Sequence, residues 1–326
     1  MYLRACFIFY VALSCSFCFG YDRSSIDDIE KKALEVRLQI ESWHIALSLD
    51  QERGEPRPRI PSAVETGDPI YKEFWYDGKG RMRNDSTYVK DGYSAQDEGG
   101  TFKRMIILGD DYRYSYFAGL DSGVRAFVLS ETARNSLRPG ELTDIRLIGM
   151  VPFAILIGNQ KITDIIGNAN RTELTMIDDD LDGIATKKIS FLDRRSIPVS
   201  VWIAPEKGYS IIRIEQNSGE RNFHTKMIVR VEKHESSGIW FPVECLCVET
   251  DNAGKFRNRL NIKVESASFN VLIPDDIFTP KTMNVPQGTV ATRGGQLGVP
   301  SGNWIWDGNQ IVEAAREQCG PYGCVL

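Results

Sequence analysis

From Trp43 to Phe269 the chain alternates apolar and polar residues in short runs, and the runs stop at turn signals such as Asp77-Gly78, Gly109-Asp110-Asp111 and Asp182-Gly183. A period of two sends successive side chains to opposite sides of a strand, so each run has one face to bury and one to wet. Runs joined by tight turns pair as antiparallel hairpins. The rhythm is clearest over 206–280, where four strands follow one another and end in Ile273-Pro-Asp-Asp-Ile-Phe-Thr-Pro280. Such a chain is constrained to a large antiparallel sheet that needs a cover for its apolar face.

Residues 1–20 stand outside this rhythm. Arg4 is a short positive region, Ala5 to Phe19 is an apolar run, and Cys18-Phe19-Gly20 places small residues three and one before a cleavage point. This is the layout of a secretory signal peptide, so an exported protein starting near Tyr21, periplasmic or otherwise extracytoplasmic, is expected. A lipoprotein reading of Ala12-Leu13-Ser14-Cys15 fits less well, because Ala stands where Leu is preferred. The run is shorter than the ~20 residues that span a bilayer, and no later run reaches that length, so no transmembrane segment is expected after cleavage.

Composition narrows the partners. The net charge of −5 is well mixed with no basic block, which argues against nucleic acid. Three of the seven cysteines, Cys6, Cys15 and Cys18, leave with the signal. Turn residues separate Cys319 from Cys324, which makes them a disulfide candidate in an oxidising compartment. Cys245 and Cys247 lie two apart on one strand face, a geometry that disfavours a bond between them. Four thiols also suffice for zinc, but an exported chain favours disulfides or buried thiols. No cofactor or metal is expected.

Along the chain, Ile26, Ile29, Ala33, Val36 or Arg37, and Ile40 predict an amphipathic helix, capped by Ser24 or Ser25 with Asp27, Asp28 and Glu30 in its first turn. Residues 51–69 are proline-rich and read as an excursion. The stretch 118–170 loses the strand rhythm. It contains the apolar segment Leu147 to Gly158, which reads either as a buried helix or strand or as a lid or plug bent at Gly149, Pro152 and Gly158, and a short helix over Lys161 to Ile166. The Gly- and Pro-rich tail 281–326 is expected to be loose, with a helical patch at Ile311 to Glu317.

Catalytic constellations are scarce. Asp178-x-Asp180-x-Asp182-Gly183 opens like a calcium loop, but Ile189 stands where the loop needs a bidentate Glu, so an acidic turn is the better reading. His44, His224 and His234 sit apart and outside any metal spacing, and no Gly-x-Ser-x-Gly elbow occurs. No catalytic residue is assigned. The aromatic rows say more: Tyr112, Tyr114 and Tyr116 share a face, Trp43 aligns with Ile45, Leu47 and Leu49, and Trp202 sits between Val201 and Ile203. One sheet with few helices has more apolar face than those helices cover, and the surplus suits a ligand or a partner.

Several phrases carry a resemblance. Phe74-Trp-Tyr-Asp-Gly, Lys103-Arg-Met-Ile-Ile-Leu-Gly-Asp-Asp-Tyr112, Trp202-Ile-Ala-Pro-Glu-Lys-Gly-Tyr209 and the closing Ile273-to-Pro280 phrase resemble the LolA/LppX half-barrel superfamily of periplasmic lipoprotein carriers over about 25–280. The resemblance implies a mainly β (α+β) fold: a single strongly curved antiparallel sheet of about ten strands, an open half-barrel with an N-terminal helix and short plug helices, spanning 21–280. It implies a concave cavity for lipid or a lipoprotein's acyl chains, with Trp43, Ile45, Leu47, Phe74, Tyr112, Tyr114, Tyr116, Phe153 and Trp202 as its candidate lining. The expected function is non-enzymatic binding of a lipophilic ligand. The alternatives are a cell-envelope sensor or scaffold that binds a protein through the same sheet, and a hydrolase with a fold-assembled site.

Overall fold

Period-two runs become strands wherever the described residues contain them. In chain order these are β1 (Trp43–Arg53), β2 (Pro69–Tyr76), β3 (Met82–Val89), β4 (Thr101–Leu108), β5 (Arg113–Gly119), β6 (Arg125–Ser130), β7 (Thr172–Leu181), β8 (Ile184–Leu192) and β9 (Pro198–Ala204). They continue as β10 (Ser210–Ser218), β11 (Phe223–Lys233), β12 (Trp240–Thr250), β13 (Phe256–Phe269), β14 (Val290–Arg293), β15 (Trp304–Trp306), β16 (Ile311–Glu313), β17 (Cys319–Gly320) and β18 (Gly323–Cys324). One helix, α1 (Arg23–Leu38), precedes them, and single 3-10 turns lie at Ile145–Leu147, Pro205–Lys207, Asp275–Phe278 and Pro280–Met283. This computed structural model describes residues 23–54, 69–89, 101–109, 112–119, 125–130, 144–153, 172–193, 195–293, 304–313, 319–320 and 323–324. The expected signal peptide, most of the proline-rich excursion and the Lys161–Ile166 helix lie outside them.

The protein is mainly β, with one large open sheet in the order β16-β15-β14-β6-β5-β4-β3-β2-β1-β13-β12-β11-β10-β9-β8-β7. Strands β1 to β6 and β7 to β13 pair antiparallel with their chain neighbours, as hairpins must. The exception is β14, which runs parallel to β6 with Ala291 opposite Phe127. The sixteen strands exceed the ten or so expected because β6 lies in the supposedly irregular 118–170 stretch and β14, β15 and β16 lie in the supposedly loose tail. Ile311 to Glu313 is strand, which corrects the helical patch expected there.

Two compact units divide the chain. The first holds α1, the end of β1 from Leu49, the 144–153 segment, β7 to β12 and β13 as far as Glu265. The second holds Trp43 to Ser48, β2 to β6 and the described chain from Ser266 onward.

In the first unit α1 spans Arg23–Leu38, so Ser24 and Ser25 lie within its bounds, and Asp27, Asp28 and Glu30 fall beyond its first turn. Asp28 instead pairs with Lys32 one turn on, at 2.7 Å. The buried stripe is Ile26, Ile29, Ala33 and Ile40 as expected, but it also carries Glu30 and Arg37. In the second unit Met105, Ile107 and Tyr116 form a core with Ile273, Phe278, Met283, Val285, Ala291 and Trp306. The segment after Ser266 is therefore a structural cover. Arg83 holds it, donating from Nη1 to the Ile277 carbonyl at 3.1 Å and to Thr282 Oγ1 at 2.6 Å, while Nε and Nη2 grip Asp85.

Candidate functional site

Register decides which side chains share a face, because directly opposed residues of an antiparallel pair project together. In the first unit this yields one row across six strands: Ile189, Val201, Ile214, Met227, Cys247 and Leu260. All six are buried to 2% exposure or less. A parallel row beside it runs Val229, Cys245, Ile262. On the other flank the row turns polar: Gln216, Thr225, Glu249 and Asn258 stand opposite one another. Gln216 Nε2 is buried with no hydrogen bond. Burial pushes the Glu249 carboxyl up, against Arg257, whose Nη1 lies 4.0 Å away.

Two elements cover the Val229–Cys245 flank. The 144–153 segment turns at Ile145–Leu147, capped by Asp144, whose Oδ1 accepts from the Arg146 backbone N–H at 3.0 Å. Ile145, Leu147, Ile148, Met150 and Val151 are all buried, as both a core segment and a plug would be. Gly149 lets it approach: a Cβ there would stand 2.6 Å from Pro242 Cγ and 3.0 Å from Val229 Cγ1. The second element is α1, whose Arg37 guanidinium lies 4.8 Å from the Phe241 ring centre. Burial lowers Arg37 to about 10, and pushes the Cys245 thiol up to about 12.

The opposite face of the same strands is charged, with Lys188, Arg213, Glu215, Lys226, Arg230 and Glu244. Trp202 belongs to that face and not to the row of Val201 and Ile203. Its ring lies between Lys188 and Arg213, at 4.7 and 4.9 Å, and its Nε1 donates to Asp179 Oδ2 at 2.8 Å. The two cations pack over the ring, which is buried.

The other candidate residues separate in the same way. In the second unit Trp43, Ile45, Leu47 and Phe74 do share one buried face, since Ile45 opposes Phe74 and Phe74 opposes Asn84. Register puts Tyr114 and Tyr116 on the other face of that unit's strands, where Tyr112, Tyr114 and Tyr116 pack against the core under the C-terminal segment. Phe153, the last described residue of the 144–153 segment, is half-buried with φ +56°. The nine residues thus do not form a single lining.

Sequence reasoning left Val36 or Arg37 open for the inner stripe of α1, where the structure buries Arg37, and it missed Glu30 on the same stripe. It also missed a polar strip on the Trp43 face, where Lys72 opposes Ser86 and Ser86 opposes Arg104, all buried. The signal was present in the second case: Lys72 and Phe74 have the same parity, and Lys72 Nζ lies 5.8 Å from that ring.

Two of the three histidines, His44 and His234, read as structural. His44 Nε2 pairs with Glu73 Oε1 at 2.7 Å and its ring stacks on Trp75. His234 Nδ1 lies 3.0 Å from Ser237 Oγ inside the β11–β12 hairpin, where the same Ser Oγ accepts from the Ile239 N–H. That is a turn, not a nucleophile in a cleft. The acidic run is likewise a hairpin, with Asp182 and Gly183 at positive φ and Asp180 Oδ1 accepting from the Gly183 N–H.

No family model matches the chain, and no curated protein matches it. Solved structures match in fold. A domain described as an outer membrane lipoprotein-sorting protein from Vibrio parahaemolyticus is 9% identical, with TM-score 0.40, over 78% of this chain and 97% of that one. The Mycobacterium tuberculosis lipoprotein LppX is 11% identical, with TM-score 0.29, over 78% of this chain and 100% of that one. The MucA/MucB complex of Pseudomonas aeruginosa gives 9% identity and TM-score 0.22, over 78% of this chain and 60% of that one. The likeness is distant and concerns fold alone.

Proposed function

We propose that the protein is an exported, non-enzymatic binding protein that holds a lipophilic ligand against the buried face of its first unit. The observation behind this reading is the row Ile189–Val201–Ile214–Met227–Cys247–Leu260, flanked by polar groups on one side and covered on the other by a short plug and one helix. The described part of that cover, residues 144–153, is one 3-10 turn and a few bends, which hold the face closed less firmly than a long packed helix would. Burying apolar surface at about 25 cal/mol per Å² gives an acyl chain several kcal/mol without a shaped polar site. The test is mass spectrometry of organic extracts from protein purified without detergent, with N-terminal sequencing of the same sample. A stoichiometric lipophilic species and a start near Tyr21 support the reading. A clean extract, with no uptake of added lipid, hands the function to the envelope-scaffold alternative.

A further inference from the structure

Arg37 is the most anomalous group of the first unit. It is 2% exposed, it sits on the inner stripe of α1, and neither Nη1 nor Nη2 makes a hydrogen bond. The groups that face it are the Phe241 ring, the Cys245 thiol and the Asp144 carboxylate. The thiol is neutral. The carboxylate is already held by Arg146, whose Nη2 donates to Oδ2 at 2.7 Å and whose Nε donates to Oδ1 at 2.9 Å. A ring face returns about 2 kcal/mol to a desolvated cation, whereas taking the charge out of water costs several. A buried guanidinium with two idle donor groups is half of an ion pair. The Val229–Cys245–Ile262 row beside it adjoins the six-strand apolar row, whose four strand spacings from Cys247 to Ile189 cover about 19 Å.

We propose that Arg37 is the head-group anchor of this site and that the ligand is a lipophilic monoacid, a fatty-acid-type molecule whose carboxylate takes the two Nη groups. This rests on the lipophilic-ligand reading and narrows it. The guanidinium fork matches the two oxygens of a carboxylate in parallel hydrogen bonds. One negative charge cancels the one positive charge, whereas a phosphate dianion would leave an excess beside Asp144 in a low-dielectric interior.

The test measures equilibrium binding of palmitic acid, methyl palmitate and hexadecyl phosphate to the delipidated full chain and to its Arg37→Met and Arg37→Lys variants. The wild type should prefer the acid to its ester by at least about tenfold, the worth of a charge-assisted hydrogen-bonded pair. Arg37→Met should bind acid and ester alike, and should melt no lower than the wild type, because it removes an unpaired buried charge at similar volume. Arg37→Lys should keep part of the preference, having the charge without the fork. Equal binding of acid and ester by the wild type overturns the anchor and leaves the lipophilic reading standing. A preference that survives in Arg37→Met also overturns it, and hexadecyl phosphate binding as tightly as palmitate overturns the carboxylate assignment. Binding of none of the three overturns both readings. If Arg37→Met does not fold, the wild-type comparison of acid with ester decides alone.

Discussion

Gly149 has φ +75°, and the space its side chain would need is filled by Pro242 and Val229. Gly149→Ala is therefore expected to cost roughly 2–4 kcal/mol, left-handed strain added to overpacking, read as a lower urea midpoint with an unchanged slope. Glu249 gives a prediction of opposite kind. Its folded-state pKa is raised above the ordinary glutamate value of 4.5, first by burial and then despite Arg257. The folded state thus holds a proton that the unfolded chain releases, so stability is greatest below 4.5 and falls as pH rises through the raised value. Glu249→Gln should flatten that slope and raise the melting temperature at neutral pH, which thermal melts from pH 4 to 8 would show. Residue-scale legibility was partial for a physical reason. Ser200-Val-Trp-Ile-Ala204 is apolar at both parities around Trp202, so alternation does not say which face Trp202 takes. Only its opposite neighbours Lys188 and Arg213, contributed by other strands, decide it.

The least legible elements were those of the C-terminal segment. Its strands run only two to four residues and are set among Gly and Pro, so they show too few periods to register as strands in sequence. What orders them is tertiary: Phe278, Met283, Ala291 and Trp306 fill the space over Met105, Ile107 and Tyr116. Phe278→Ala should cost about 3–5 kcal/mol, as for a large buried aromatic. It should also expose this segment to cleavage, so limited proteolysis ought to cut the variant between 279 and 313 at protease levels that spare the wild type. Helix α1, by contrast, was legible in its apolar spacing and illegible in its polar insertions. A Glu and an Arg at helical spacing look like solvent groups until packing shows the side they occupy.

Across the whole molecule the hairpin rhythm delivered the fold class, because local pairing follows local pattern. It did not deliver the pairing of β6 with β14, which depends on chain segments some 160 residues apart. Cysteine chemistry offers a global readout. Cys245 and Cys247 are buried and reduced, and burial holds the Cys245 thiol at about 12, so neither should react with maleimide in the native state at pH 7.5. Labelling of both, followed by peptide mapping, should track global unfolding in urea; reaction in native buffer would show that the first unit opens on its own. The same map tests the expected Cys319–Cys324 bond. The two residues are opposed in a two-strand ladder, and opposed Cα atoms lie about 4.5–5.5 Å apart, within disulfide reach.

The parallel contact between β6 and β14 also sets an order of events as the chain emerges, which for a chain exported while it is made means from the export channel at the pace of synthesis. By the time Ser130 is made, β2 to β6 have the partners they need except one. The edge of β6 then stays open while about 160 further residues are synthesised, until Val290–Arg293 emerges to close it. At about 5–20 residues per second that interval is roughly 8–30 s, long enough for an unpaired strand to meet another nascent chain. A chain that ends before 290 never closes it, so prematurely terminated copies should be recovered as aggregates held by holdase chaperones.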